Sequence, residues 1–248
     1  KPRIVPKGLR SFDAGDADFF SDLIPGPRDR EGVPEVLRLW QHRIEARDET
    51  TAFRIGMLYG PSGCGKSSLI KAGLVPRLSK SVAVVMIEAD ASETEHRIEQ
   101  ALRRSVINEI PGRPLAEILS SIRKGTANGL AGRSVLIVID QFEQWLNANP
   151  IDAGQDLVEA LRQCDGANLQ CLILVRDDFW LSASRFMGVL EIDLDQTENV
   201  GMVDLFDLDH ARRVLRQFGC AYRRLPDENE SPEQEEFLTH ATQELQEN

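Results

Sequence analysis

"RIGMLYGPSGCGKSSLI", Arg54–Ile70, decides how this chain is read. An apolar run breaks into three glycines, a lysine and two serines, then turns apolar again. The first half, within "TAFRIGMLY", reads as a short strand ending at Tyr59. From Lys66 to Leu78 the apolar spacing is helical, and Pro76 is expected to end or kink that helix early. Between them lies Gly60-Pro61-Ser62-Gly63-Cys64-Gly65-Lys66-Ser67, which fits G-x-x-x-x-G-K-[ST]. Glycines at that spacing let the backbone curl until several amide N–H groups point inward. The helix that follows adds the positive end of its dipole, so the curl suits a phosphate group.

This is the P-loop or Walker A pattern. Its chemistry places Lys66 against the β- and γ-phosphates of a nucleotide, as a point charge, and the Ser67 hydroxyl on Mg²⁺. Ser68 lies toward the α-phosphate. A chance match in a chain of 248 residues has a probability of roughly one in a hundred at ordinary glycine frequency, and the flanking strand and helix lower it further.

Working outward, "VAVVMIEA" (Val82–Ala89), "SVLIVID" (Ser134–Asp140) and "LQCLILV" (Leu169–Val175) are apolar runs of strand length. Helical patterns separate them, at about Glu93–Asn108, Pro114–Lys124 and Ala153–Gln163. "FWLSASRFMGVL" reads as a helix, "EIDLD" (Glu191–Asp195) as a short strand and "LDHARRVLRQF" as a further helix. Upstream, Val33, Val36, Leu37, Trp40 and Ile44 share one helical face. Strands apolar on both faces alternating with helices imply a mostly parallel sheet covered on both sides, a three-layer, doubly wound α/β domain. The expected division is an irregular lead-in packed on the core (1–31), a P-loop core (32–219), and an acidic tail or start of a helical lid (220–248). From Asp227 onward there are eight acidic residues and no Lys or Arg.

The site needs a metal-side acid, usually an Asp at the tip of a neighbouring hydrophobic strand. Asp140 ends "VLIVID", on the carboxyl edge where open α/β sheets bind ligands. The competing reading is a strand-ending acid or helix cap. Glu143 is the candidate to orient or deprotonate an attacking water, against the alternative of a surface acid on the next helix. Arg176, at the end of "LILVRDDFW", would sense or stabilise the transferring charge, unless it forms a structural ion pair with Asp177 or Asp178.

With 42% hydrophobic residues a substantial core is expected, and a net charge of −11 argues against non-specific grip on nucleic acid or anionic membrane. Cys64, Cys164, Cys171 and Cys220 match neither zinc spacing nor a disulfide framework, which fits free thiols in a cytoplasmic protein. His42, His96, His210 and His240 show no metal spacing and read as surface or capping residues. The pairs Phe19–Phe20 and Phe179–Trp180 read as core packing. No window has the length of a membrane span. The first residue is lysine, and the chain reads as a piece of something longer.

Taken together, "GLRSF" (Gly8–Phe12), "DADFF" (Asp16–Phe20), "YGPSGCGKSSLIKAGLVPRL" (Tyr59–Leu78), "VLIVIDQFEQWL" (Val135–Leu146) and "LVRDDFW" (Leu174–Trp180) resemble a STAND-type P-loop ATPase. STAND proteins are the signalling branch of the AAA+-like group, and the chain is most similar to the bacterial novel STAND NTPase domains. The resemblance implies one module of a multidomain protein, often fused to a kinase or to WD-repeats. It implies a Mg²⁺-dependent ATP/ADP switch with slow hydrolysis and ATP-dependent self-association. Two positions depart from the family pattern. The second acid after "DQF" is replaced by Gln144, and the Gly-Arg-Glu motif near the adenine is replaced by "IPGPRDRE" (Ile24–Glu31), where either Arg28 or Arg30 would take the arginine's place. Two rivals are a nucleotide clasp without useful hydrolysis and a P-loop small-molecule kinase. A GTPase is disfavoured because no Asn/Thr-Lys-x-Asp segment is present.

Overall fold

Five apolar segments lie side by side in the order β2-β3-β4-β1-β5, each parallel to its neighbours. They are β1 (Ile55–Gly60), β2 (Val82–Glu88), β3 (Ser134–Asp140), β4 (Leu169–Arg176) and β5 (Val200–Met202). The computed structural model describes residues 10–48, 51–107, 112–149, 151, 155–226 and 231–244. The helices are α1 (Ala17–Leu23), α2 (Glu35–Glu45), α3 (Lys66–Ser68), α4 (Thr94–Ser105), α5 (Leu115–Arg123), α6 (Glu143–Ala148), α7 (Asp156–Leu161), α8 (Trp180–Val189), α9 (Leu208–Ala221) and α10 (Pro232–Glu244).

Alternation along β3 shows why both faces had to be apolar. Val135, Ile137 and Ile139 enter a core shared with α4, α5, α6, α7 and α8. Leu136 and Val138 enter a second core with α1, α2 and the helix after the glycine loop. Successive side chains point to opposite faces, so a run of β-branched residues buried on both sides demands a layer of helices above and below. The domain is therefore a three-layer α/β structure with an all-parallel sheet. Among the described residues no helix is long and apolar enough to cross a membrane.

Four details differ from the sequence reading. The lead-in, expected to be irregular, carries a 3-10 turn (Ala14–Asp16) and α1. Asp13 accepts from the Gly15 N–H at 2.9 Å while Asp16 accepts from the Asp13 N–H at 3.1 Å, a capping box hidden in a polar stretch. The helix expected over Lys66–Leu78 begins as α3 but continues as a π-helix (Leu69–Leu74) and closes in a 3-10 turn (Val75–Arg77) at Pro76. A short helix, α6, begins at Glu143, ahead of the helix expected from about Ala153, as in the alternative reading that set this acid on a helix.

"EIDLD" is not a strand. Glu191 takes φ +59° and closes α8 as a left-handed cap. Its N–H donates to Gly188 O and the Ile192 N–H to Met187 O, a Schellman pattern without the usual glycine. The fifth strand forms instead at Val200–Met202, led in by Asn199, whose carbonyl accepts from the Met57 N–H at 2.8 Å. The expected helix ends at Asn108 and Ala153, and the head of the acidic tail, fall outside the described residues.

Beyond β5, α9 crosses back to the N-terminal segment. Its His210, read from sequence as a surface or capping residue, is 6% exposed. The His210 ring hydrogen-bonds Leu23 O at 2.6 Å and Arg213 at 3.0 Å. Phe218 packs on Phe19 at 5.1 Å and on Phe12 at 6.1 Å. Arg212 joins α10 to α9 through Glu235 and Thr239.

Candidate functional site

β1 delivers the chain to the carboxyl edge of the sheet at Gly60, where the backbone passes against the β5 exit. A Cβ at Gly60 would stand 1.8 Å from Val203 O, so no other residue fits there. Gly65 takes φ +97°, the left-handed turn that starts α3. The loop is held from within by its lysine. Lys66 Nζ donates to Gly60 O at 2.7 Å and to Pro61 O at 2.9 Å, and lies 3.6 Å from Cys64 Sγ. An ammonium on its own loop carbonyls braces the curl, and reaching an incoming anion would cost it those two hydrogen bonds.

A cleft of about 650 Å³ opens over this loop. Ser62, Gly63, Cys64, Gly65, Lys66, Ser67 and Ser68 form one side, and Asp140, Gln141, Glu143, Gln144 and Arg176 face them. Strand order explains the meeting. β4 lies between β1 and β3, so Asp140 is not on a strand adjacent to the loop but on the next one over. Arg176, at the tip of β4, is in register with Gly60.

Each acid is fixed locally. Asp140 is 2% exposed, and its Oδ1 accepts from the Gln141 N–H at 3.0 Å. Gln141 takes φ +54°, a sharp turn that puts the next residues over the end of β4. The Phe142 N–H then donates to Leu174 O at 2.9 Å. Glu143 opens α6 and is buried at 8% exposure, so it is no surface acid; its Oε2 accepts from the Arg176 N–H at 3.3 Å. The Arg176 guanidinium reaches Asp178, Nε to Oδ1 at 3.0 Å and Nη2 to Oδ2 at 2.5 Å. It thus lines the cleft while resting on an exposed ion pair, of the kind worth little in water.

Other sequence candidates behave differently. The Ser68 hydroxyl accepts from the Phe12 N–H at 3.1 Å and anchors the N-terminal segment to the loop helix. Arg28 turns away from the cleft and clamps the end of α1, with Nη2 2.9 Å from Ser21 O and Nη1 2.9 Å from Gly32 O. Arg30 is exposed. Neither arginine is among the residues lining the cleft. Phe19 and Phe20 are buried in the second core, and Phe20 also lines the cleft. Burial pushes the Cys64 thiol up, against the pull of Lys66, so the thiolate is scarce inside the loop.

The cleft also has an apolar wall that was not assigned from sequence: Phe12, Leu23, Phe206, Val214 and Phe218. Val214 and Phe218 lie four residues apart on α9, a spacing that signals one helix face but not what that face meets. Among the described residues no group of three or more His, Cys, Asp or Glu could hold a metal. Ser67 and Asp140 nevertheless share this cleft. That donor set fits Mg²⁺ only if phosphate oxygens and water complete its shell, the usual mode for this ion.

Comparison with known proteins agrees with this fold. The chain is similar to the Aeropyrum pernix ORC2 protein, solved as ADPNP-ADP complexes, with TM-score 0.52 and 20% identity over 80% of this chain and 54% of that one. It is similar to the Walker-type ATPase of Pyrococcus abyssi, with TM-score 0.57 and 16% identity over 89% of this chain and 66% of that one. It is also similar to Drosophila ORC bound to DNA, with TM-score 0.51 and 18% identity over 84% of this chain and 49% of that one. At such identities the likeness is one of fold, and the chain spans only about half to two-thirds of these proteins. No curated protein matches the sequence. The model of one family, novel STAND NTPase 1, matches residues 7–217. That match spans the glycine loop and the tips of β3 and β4, and the chain belongs to the novel STAND NTPase 1 family.

Proposed function

We propose that the chain is the ATP-binding module of a signalling switch, hydrolysing slowly and dependent on Mg²⁺. The observation that carries this reading is the convergence of Lys66, Ser67, Asp140, Glu143 and Arg176 on one cleft. The loop amides and Lys66 take the β- and γ-phosphates. Ser67 and Asp140 hold Mg²⁺, which supplies charge neutralisation to the polyphosphate. Glu143 orients the attacking water, and Arg176 leaves Asp178 for the γ-phosphate. Slow turnover is supported by the pose of Glu143, whose carboxylate already accepts an N–H, and by Gln144 in place of a second acid. Four free cysteines support a cytoplasmic setting. Fusion to kinase or WD-repeat domains and self-association with ATP rest on the family. Direct nucleic-acid or membrane binding is disfavoured by the charge of −11.

The test is titration calorimetry with ATP, ADP and GTP beside a phosphate-release assay. Glu143→Gln is expected to keep ATP affinity within about threefold and to lower phosphate release by about 100-fold. ATP binding with no phosphate release from either protein would leave a nucleotide clasp instead. Release only with an added metabolite would indicate a kinase. Asp140→Asn is expected to make ATP affinity much less dependent on Mg²⁺, and an unchanged Mg²⁺ titration would remove Asp140 from the metal site.

A further inference from the structure

Among the described residues β2 is the outer strand of the sheet, beside β3. Two ladder bonds set its parity: the Ser134 N–H donates to Ser81 O at 2.9 Å, and the Ala89 N–H donates to Asp140 O at 2.8 Å. In a parallel ladder bonding residues alternate, so the odd-numbered residues of β2 face β3 and the even-numbered ones turn their N–H and C=O outward. The ends of this outer edge are occupied. The Val82 N–H donates to Ser79 O, and Arg97 Nη1 donates to Glu88 O at 3.1 Å. Between them, Val84 and Met86 turn toward a groove of about 730 Å³ backbone groups that meet no partner among the described residues.

One wall of that groove is the helix after the glycine loop, with Lys71 and Val75. The other is α4, with Arg97, Ala101 and Arg104. Arg97 is already matched by Asp90 at 3.2 Å and Glu93 at 3.5 Å. Among the described residues Lys71 and Arg104 meet neutral groups, Ser11 Oγ and Gln100 Oε1, each at 3.2 Å. Asp13 and Glu88 also line the groove, with Asp13 Oδ1 turned to the Gly15 N–H, and among the described residues Lys71 and Arg104 are the lining cations that meet no carboxylate, on a chain of net charge −11. Open edges are usually covered or blunted, because they template a further strand.

We propose that this edge receives an extended acidic segment of a partner protein as a sixth strand. Val84 and Met86 would exchange main-chain hydrogen bonds with it. Side chains on a strand alternate between faces, so neighbouring carboxylates of the segment would reach Lys71 on one wall and Arg104 on the other.

The probe is a capped five-residue peptide, Val-Glu-Glu-Val-Val, whose adjacent glutamates fall on opposite faces of a strand, compared with its lysine-for-glutamate counterpart. Amide NMR with hydrogen exchange gives the readout. The glutamate peptide is expected to slow exchange at Val84 and Met86 by about tenfold or more, and the lysine peptide to leave it unchanged. Met86→Pro removes one outward N–H without touching the β3 ladder, a change that edge strands tolerate, and is expected to abolish the effect. Arg104→Glu, on the exposed face of α4, is expected to weaken binding by about tenfold and serves should the proline variant fail to fold. Unchanged exchange with saturating glutamate peptide, equal binding of both peptides, or undiminished binding to a folded Met86→Pro or Arg104→Glu protein would each overturn the proposal.

Discussion

Lys66→Ala is expected to weaken ATP binding by about 100-fold, the largest effect of any single change in the cleft. A hydrogen bond to a charged group is worth about 1.5–3 kcal/mol, and about 2.7 kcal/mol corresponds to 100-fold in affinity. The lysine must leave Gly60 O and Pro61 O to engage phosphate, so part of its gain is offset beforehand. Its contribution therefore stays near that of one charged contact instead of two. Lys66→Arg is not expected to restore affinity, because a planar fork cannot replace a compact ammonium inside so tight a loop. Titration calorimetry on folded variants decides the matter, and an unchanged dissociation constant would mean that the polyphosphate binds elsewhere.

Phe142→Ala is expected to cost about 3–5 kcal/mol of stability, a large share of the roughly 5–15 kcal/mol that holds a domain folded. Phe142 is fully buried. Its ring stacks on Trp145 at 5.5 Å and meets Phe186 at 4.9 Å, joining α6 to α8 beneath the cleft. The residue also sits between Asp140 and Glu143, so a cavity there would loosen both acids at once. Urea melts should show the loss directly, with Phe142→Leu retaining more stability than alanine. An alanine variant within about 1 kcal/mol of wild type would show that the aromatic trio does not hold this edge together.

The glycine loop and the acidic strand tip were legible in the sequence, whereas Phe142 was not singled out there. The glycine loop and the tip of β3 combine a backbone requirement with an apolar period, and each reinforces the other. Lys66, Ser67 and Asp140 therefore emerged from local pattern alone. α6 did not, because it follows a left-handed Gln141 that no turn residue announces. The strand near residue 200 escaped notice because Asn-Val-Gly-Met has no alternation, and "EIDLD" has it by accident. The apolar wall of the cleft is a tertiary fact: α9 meets Phe12 and Leu23 from nearly two hundred residues away. Arg28 illustrates the opposite limit, since its neighbours suggest a ligand contact while its guanidinium is spent on carbonyls of α1.

The order of the strands also governs how the molecule comes into being. Ile55 pairs with Cys171 and Met57 with Val200, so β1 has no sheet neighbour until β4 has been synthesised. Pairings so distant in sequence are slow to form. During translation the glycine loop therefore emerges before its sheet neighbours and remains unsupported until the ribosome has passed Arg176. In that interval the bare apolar strand before it is a natural target for chaperones.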